Sequence, residues 1–440
     1  MGEPNPIDRV STDDLMSLAT EHGSTPMQVG AVLMLDARHG FDPEQAARLL
    51  TRRIQNVPRL RQRLVTVPFG CGRPVWVHDP AFDLAHHLSS VPCPAPGGEQ
   101  AVLDLAATLI ATPLPRNRPL WSAILVTGTA GPEAAGPDTP DTSDTSDTSD
   151  TPEHQAALII VFHHVLADGI GGLAVLASLV DGAPGEPAPA PEYAPNEDFP
   201  RPMPSARRLV TDAARHRLQP TSLNRPTGAR RRFLSIRLEL GRVHRAARAH
   251  GATVNDVVLT AIGGALHRLL GQRGERVDRF VLSVPFSERR QTNAGELGNR
   301  SGVIPIDVPG IGDPAARLET VARTTRAAKQ APPGASTALL GPMFRLLARL
   351  GLFQRFVDRQ RLIHTFVTNL RGPPGPLAIF GCPITALVPL SVATGNVTVS
   401  FSVLSYAGTL TITLNADPDA CPDLPALGRL LAEQIDLLTR

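Results

Sequence analysis

The longest unbroken apolar run in the middle of the chain is Ala156-Ala157-Leu158-Ile159-Ile160-Val161-Phe162. Its length suits a strand buried on both faces rather than an amphipathic element. His163 and His164 follow at once, then Val165-Leu166-Ala167, an Asp168-Gly169 turn and the glycines of Gly171-Gly172. The segments before it alternate helical and β periodicities. Thr12–Glu21 has helical spacing, and Met27–Leu35 is β-like. Asp42–Val57 repeats apolar residues at Ala46, Leu49, Leu50 and Ile54, which predicts an amphipathic helix. Leu60–Val67 and Val75–Val77 are expected strands around the Gly70-Cys71-Gly72 turn. Glu99–Thr112 is an expected helix with Val102, Leu105, Leu109 and Ile110 on its apolar side, stopped by Pro113 and Pro115. Pro119–Val126 reads as a further strand.

Between that strand and the central run lies 129–153, an Asp-Thr-Ser-rich tract with too few apolar residues to bury. It reads as a disordered hairpin connection. After the motif, Leu173–Val180 is helical, and 182–226 is rich in proline and arginine, as an interdomain linker would be. The second half opens with a strand over Phe233–Leu240 and a helix over Leu240–His250. A long helix over Thr253–Gln272 has Thr253 as its N-cap. Phe280–Pro285 is an expected strand and Ala315–Gln330 a helix. The stretch 338–358 sets a broad apolar face among arginines. Ile384–Leu390, Val397–Leu404 and Thr409–Asn415 are β-like, and Leu424–Leu438 is a closing helix. Both halves therefore predict a mixed sheet covered by helices. The domain division is 1–181, a linker over 182–231, and 232–440.

Composition narrows the partners. A length of 440 residues points to two domains. The net charge of +2 and an aromatic content of 4% give no basis for nucleic-acid binding. The cysteines, at 71, 93, 382 and 421, form no CxxC pair, so no metal site is expected. No GxGxxG or GxxxxGK[ST] nucleotide motif follows a strand. The first residues lack an apolar signal core, and no run reaches the ~18 apolar residues of a membrane span. A cytoplasmic location is expected, with room for peripheral association at the inner face of the plasma membrane.

Chemistry concentrates at the strand end. Histidine is the one side chain whose unperturbed pKa lies near neutrality, and a buried strand is a rigid mount for it. Gly169 permits a tight turn. Asn255-Asp256, at the start of the long helix, places a carboxylate where the helix dipole favours it.

The run His163-His164-Val165-Leu166-Ala167-Asp168-Gly169 resembles the HHxxxDG signature of the CoA-dependent acyltransferase superfamily. Other stretches are similar to motifs of one branch, the bacterial wax ester synthase/diacylglycerol acyltransferase family. Pro119-Leu120-Trp121 resembles its PLW motif, and Asn255-Asp256-Val257-Val258-Leu259 its NDVVL motif. Val284–Arg289 with Leu297–Arg300 resembles VPVSxR…LGN, and Thr368–Pro373 resembles SNVPGP. Ser405-Tyr406-Ala407-Gly408 with Asp417 fits SYxG…D, and Met27-Gln28-Val29-Gly30 is close to MHVG. There are departures: Gln28 stands where the family usually has histidine, and Thr368 and Leu370-Arg371 replace Ser and Val-Pro.

The resemblance implies an α/β fold of two chloramphenicol-acetyltransferase-like subdomains with the active site in a tunnel between them. It implies an O-acyltransferase that moves a long-chain acyl group from acyl-CoA to diacylglycerol or a long-chain alcohol. Acyl-CoA is then a co-substrate, with no bound cofactor, and a membrane or lipid-droplet surface is the expected workplace. His164 would be the general base and His163 its support, while Asp168 would be structural, with Arg289 as its ion-pair candidate. Gly169, Asn255, Asp256, Pro119 and Trp121 would shape the substrate tunnel. Another acceptor, as in secondary-metabolite acylation, and a non-catalytic lipid-binding homologue remain alternatives. Breaking a buried ion pair from one side costs on the order of 3–5 kcal/mol. Asp168→Ala is therefore expected to lose soluble folded protein together with activity, and a normally folded, fully active variant would overturn that role.

Overall fold

The computed structural model describes residues 8–21, 25–68, 71–129, 155–183, 218–287, 301–330, 347 and 350–440. The 130–153 tract, the linker core 184–217, Arg289, the Leu297–Arg300 block and 338–346 lie outside the described residues.

The central apolar run forms β6 (Gln155–His163), and β1 (Gln28–Asp36) and β5 (Trp121–Thr127) pair with it antiparallel on either side. Together with β4 (Leu88–Pro92), β11 (Ala378–Ile379) and β12 (Cys382–Leu390) they make a six-stranded sheet in the order β11-β12-β1-β6-β5-β4. The pairing of β4 with β5 is parallel. Because β6 is central, both its faces are covered, which accounts for its lack of alternation. Residues Leu158, Ile160 and Phe162 pack on one side with α2 (Pro43–Ile54) and α4 (Gly169–Leu179). Ala157, Ile159 and Val161 pack on the other against α3 (Gly98–Ala111). The apolar face of α3 is centred on Val102, Leu103, Ala106, Ala107 and Ile110, while Leu105 and Leu109 are only partly buried. The sheet-facing stripe is thus rotated from the one expected, because small alanines let the helix sit close to the strands. The β1–β6 pair is also close: a Cβ at Gly30 would lie 2.2 Å from the Ile160 carbonyl oxygen.

The second sheet has the order β7-β14-β13-β10-β8-β9. Its strands are β7 (Arg232–Glu239), β8 (Arg279–Ser287), β9 (Ser301–Pro309), β10 (Thr365–Arg371), β13 (Val399–Tyr406) and β14 (Thr409–Ala416). β10 runs parallel to β8 and β13, and the other pairs are antiparallel. Against this sheet lie α5 (Leu240–Ala249), α6 (Val254–Gln272), α7 (Pro314–Gln330) and α9 (Leu424–Thr439). Helix α6 is buried around most of its circumference, as a helix enclosed by neighbours on several sides must be. A side chain at Gly264 would meet Gln434 and Arg317 at 2.1 and 2.4 Å. A separate two-stranded ribbon joins β2 (Gln62–Val65) to β3 (Val75–His78). Four strands escaped the sequence patterns, namely β4, β9, β10 and β11, being short, proline-bearing or interrupted by polar residues.

The two sheets do not divide at the linker. β11 and β12 come from the 232–440 stretch, yet β12 pairs with β1 along Gly30–Leu35 and completes the first sheet. The tight turn joining them places Phe380 at φ +58° and Gly381 at φ +80°, the double left-handed conformation of a two-residue hairpin turn. Asp181, just past α4, holds that turn. Its carboxylate accepts the Phe380 and Gly381 N–H groups at 3.1 and 2.8 Å and pairs with Arg53, while its own N–H donates to the Ala378 carbonyl at 2.8 Å. Glu99 of α3 takes an ion pair from Arg237 and a hydrogen bond from Ser235, both on β7. Asp181→Ala would release the turn and leave Arg53 without its carboxylate. It is expected to lower stability by about 1–3 kcal/mol, read as a shift of the urea midpoint, and an unshifted midpoint would refute the clamp.

Candidate active site

Two backbone hydrogen bonds fix the histidine pair. The His163 N–H donates to the Leu120 carbonyl at 2.9 Å, and the His164 N–H donates to the Met27 carbonyl at 2.7 Å. The residues singled out at 27–28 and 119–121 therefore flank the motif on its two neighbouring strands. Past the strand the chain turns through 164–166, and Asp168 N-caps α4, its Oδ1 accepting the Gly171 N–H at 2.8 Å. Asp168 is thus the N-cap of this helix. Arg289 lies outside the described residues, so that pairing is not described.

His163 is 1% exposed. Its Nδ1 accepts the Val165 N–H at 3.0 Å, which assigns the ring proton to Nε2. That nitrogen stands 3.3 Å from the Glu21 carboxylate and 3.4 Å from Arg116 Nη2, and Arg116 in turn pairs with Glu21. Burial pushes the His163 pKa down to about 3, with Arg116 and His164 acting in the same direction. The Asp14 carboxylate acts in the opposite sense without offsetting desolvation. His163 is neutral and engaged through both ring nitrogens, and His164 is half-buried at the turn. Glu21 and Arg116 were missed at the sequence level. One ends the first helix and the other lies in a proline-bounded loop, and no spacing rule links them to residue 163.

The second sheet reaches the motif through β10. A Cβ at Gly169 would lie 3.0 Å from both Leu370 methyls. The neighbouring Asn369 Nδ2 donates to Asn255 Oδ1 at 3.1 Å. Along β10, Asn369 thus faces Asn255 at the start of α6, and Leu370 faces Gly169 from the strand's other side. Asp256 does not join them. Its Oδ2 closes a capping box with Thr253, and its Oδ1 accepts the Thr325 hydroxyl at 2.7 Å. Both oxygens are used in anchoring α6, so the tunnel role expected of Asp256 gives way to helix capping.

Trp121 is likewise a packing residue. Its indole N–H donates to the Leu60 carbonyl at 2.8 Å, and its ring stacks on His87 with centroids 4.6 Å apart. Pro119 and Trp121 line a cavity of about 100 Å³ with Thr112, Leu114 and His87. A larger cavity of about 240 Å³ lies between the sheets at Met34, Glu99, Arg237 and Tyr406. Neither is lined by His164, so neither is the tunnel expected there. Among the described residues no cluster of His, Cys, Asp and Glu is placed to hold a metal ion, and no helix is long and apolar enough to cross a membrane.

Comparison with known proteins adds to this geometry. The model of the wax ester synthase/diacylglycerol acyltransferase catalytic domain matches residues 10–135 and 196–258. The model of the C-terminal domain of the same family matches 297–439. The histidine motif itself lies between the first two stretches. A Mycobacterium tuberculosis (strain ATCC 25618 / H37Rv) protein bearing the name "Probable diacyglycerol O-acyltransferase" is 29% identical over 448 residues, covering 93% of this chain and 90% of that protein. The wax ester synthase/diacylglycerol acyltransferase of Marinobacter aquaeolei VT8 shares the fold with a TM-score of 0.70 at 21% identity, covering 98% of both chains. The starter condensation domain of rhizomide synthetase, solved with C8-CoA, gives 0.61 at 14% identity, covering 98% of this chain and 94% of that one.

The depressed His163 pKa has a consequence for stability. A histidine held below its ordinary pKa of 6.5 favours the fold above that pH, and the contribution is lost as pH falls from 6.5 towards about 3. Wild type is expected to lose on the order of 1–2 kcal/mol between pH 6.5 and 5 from this group. His163→Gln should flatten that limb in urea unfolding followed against pH, and parallel curves would contradict the assignment.

Proposed function

The chain belongs to the wax ester synthase/diacylglycerol acyltransferase family, and on that premise we propose that it esterifies diacylglycerol or a long-chain alcohol with the acyl group of a long-chain acyl-CoA, using His164 as general base. The observation that carries this reading is the mounting of His164. It sits at the end of a buried strand, pinned through its backbone to Met27, beside a neighbour that is neutral and fully engaged.

A hydroxyl is a weak nucleophile at neutral pH, and a base must remove its proton as it attacks. His164 takes that proton while the alcohol oxygen bonds to the thioester carbonyl carbon. The carbon–sulfur bond then breaks, the proton passes from His164 to the departing CoA thiolate, and the ester is left. Proton and electron pair balance without an acyl-enzyme, so both substrates occupy the site together. Asp168 acts at a distance, holding the start of α4 and with it the turn that carries His164. Asn255, Asn369 and Leu370 stand at the sheet junction where an acceptor would meet the motif.

The acceptors of this reaction are membrane lipids, and a peripheral seat on the inner face of the plasma membrane or on a lipid droplet follows. Leu350 and Leu352 support it. They are exposed large apolar side chains beside the helix α8 (Phe353–Val357). Arg355, Arg359 and Arg361 lie close by in sequence and suit anionic headgroups.

Purified protein is expected to release CoA from palmitoyl-CoA only when diacylglycerol or hexadecanol is added. His164→Ala should lower that rate by about 10²–10⁴-fold. Full activity in the variant would remove His164 from the chemistry, and no release with any acceptor would favour a non-catalytic lipid binder. A burst of CoA without acceptor would contradict direct transfer.

A further inference from the structure

Gln28 lies directly opposite His163 in the β1–β6 pairing, one residue beyond the Met27 carbonyl that holds His164. It is 0% exposed. Its Nε2 donates to two carbonyls at the end of α3, Ile110 at 2.6 Å and Thr112 at 2.9 Å. These bonds settle which end of the amide is nitrogen, because reversing it would set oxygen against two carbonyl oxygens. The other end, Oε1, is buried and has no hydrogen-bond partner. A buried acceptor left unmade costs about 1–3 kcal/mol, and such groups in folded proteins are usually satisfied by protein, water or ligand.

Among the described residues no donor fills this place. The adjacent ring of His163 is committed: Nδ1 accepts from Val165, and the Nε2 proton faces Glu21. Arg116 is engaged with Glu21. The orphan is therefore a fixed acceptor at the foot of the histidine strand, with every neighbouring donor spoken for. It also occupies the position at which the MHVG-like stretch departs from its pattern.

We propose that Gln28 Oε1 is a substrate-contacting specificity residue that accepts one hydrogen bond from an amide N–H in the pantetheine arm of an acyl-CoA bound beside His164. The inference rests on the acyltransfer reading and deepens it by naming a contact for the bound acyl donor. The acceptor alcohol carries a single hydroxyl proton, which His164 removes, so the donor to Oε1 comes from acyl-CoA. An acceptor fixed by two bonds costs little to organise on binding, and it penalises a ligand lacking the donor.

The test compares wild type, Gln28→Met and Gln28→His in steady-state transfer from palmitoyl-CoA to hexadecanol, with KM measured for each substrate. Methionine keeps the volume and removes the acceptor, whereas histidine can donate through one nitrogen and accept through the other. Gln28→Met is expected to raise the KM for palmitoyl-CoA about tenfold or more with kcat changed far less, and Gln28→His to restore most of it. A rise confined to palmitoyl-CoA supports the pantetheine contact, and one confined to hexadecanol would overturn it. Unchanged KM values in a folded Gln28→Met variant would mean that only water meets Oε1, and would overturn the proposal. If that variant does not fold, the ¹³C resonance of the Gln28 side-chain carbonyl in wild type decides, assigned by its loss in Gln28→His. It should shift on adding CoA, and no shift would overturn the proposal. Wild-type turnover is the control: its absence would refute the acyltransfer reading itself, whereas turnover with unchanged KM refutes only the role of Gln28.

Discussion

The β1–β6 strand pair is the constraint on which the site depends. Nine consecutive residues of β1, from Gln28 to Asp36, pair with β6 from His163 back to Gln155. At one end of that ladder the Met27 carbonyl takes the His164 N–H. At Gly30 the strands come so close that no side chain fits. The position of His164 is therefore a property of the sheet rather than of a loop, as the general-base role proposed for it requires. The neighbouring ring serves the same end. His163 is neutral because desolvation, reinforced by the Arg116 charge, outweighs the Asp14 carboxylate.

That pair would be a sheet edge without the second half of the chain. β12 crosses over to cover the open side of β1, and Asp181 clamps the turn that leads into it. The same helix, α4, begins at Asp168 and ends just before Asp181, so one element is tied to the catalytic turn at its start and to the crossover at its end. β10 closes the arrangement from the other sheet, with Leu370 against Gly169 and Asn369 bonded to Asn255. The two subdomains are thus built from interleaved chain, and the candidate site lies where the interleaving is closest.

Much of this was legible in the residues. The run 156–162 predicts a buried strand, the capping pair Thr253 and Asp256 marks the start of a long helix, and the ordered motifs from PLW to SYxG identify the family. The histidine motif could be placed at a strand end, and Asp168 could be read as structural. Asp256 and Trp121 were harder, because a motif position does not say which way a side chain points. The tertiary contacts with Thr325, Leu60 and His87 assign them to capping and packing. β4, β9, β10 and β11 were missed because their strand character depends on partners distant in sequence, which local periodicity does not record.

The sequence by itself determined the family and its reaction class, because the motifs from PLW to SYxG run in order along the chain, and it set two histidines at the end of an apolar strand. Only the tertiary structure decided what surrounds that pair. The Glu21 and Arg116 contacts to His163, the second-half strand that completes the first sheet, and the unpartnered oxygen of Gln28 all arise from residues tens to hundreds of positions apart. Their charges and hydrogen-bonding groups acquire meaning only once folding removes water and fixes their distances.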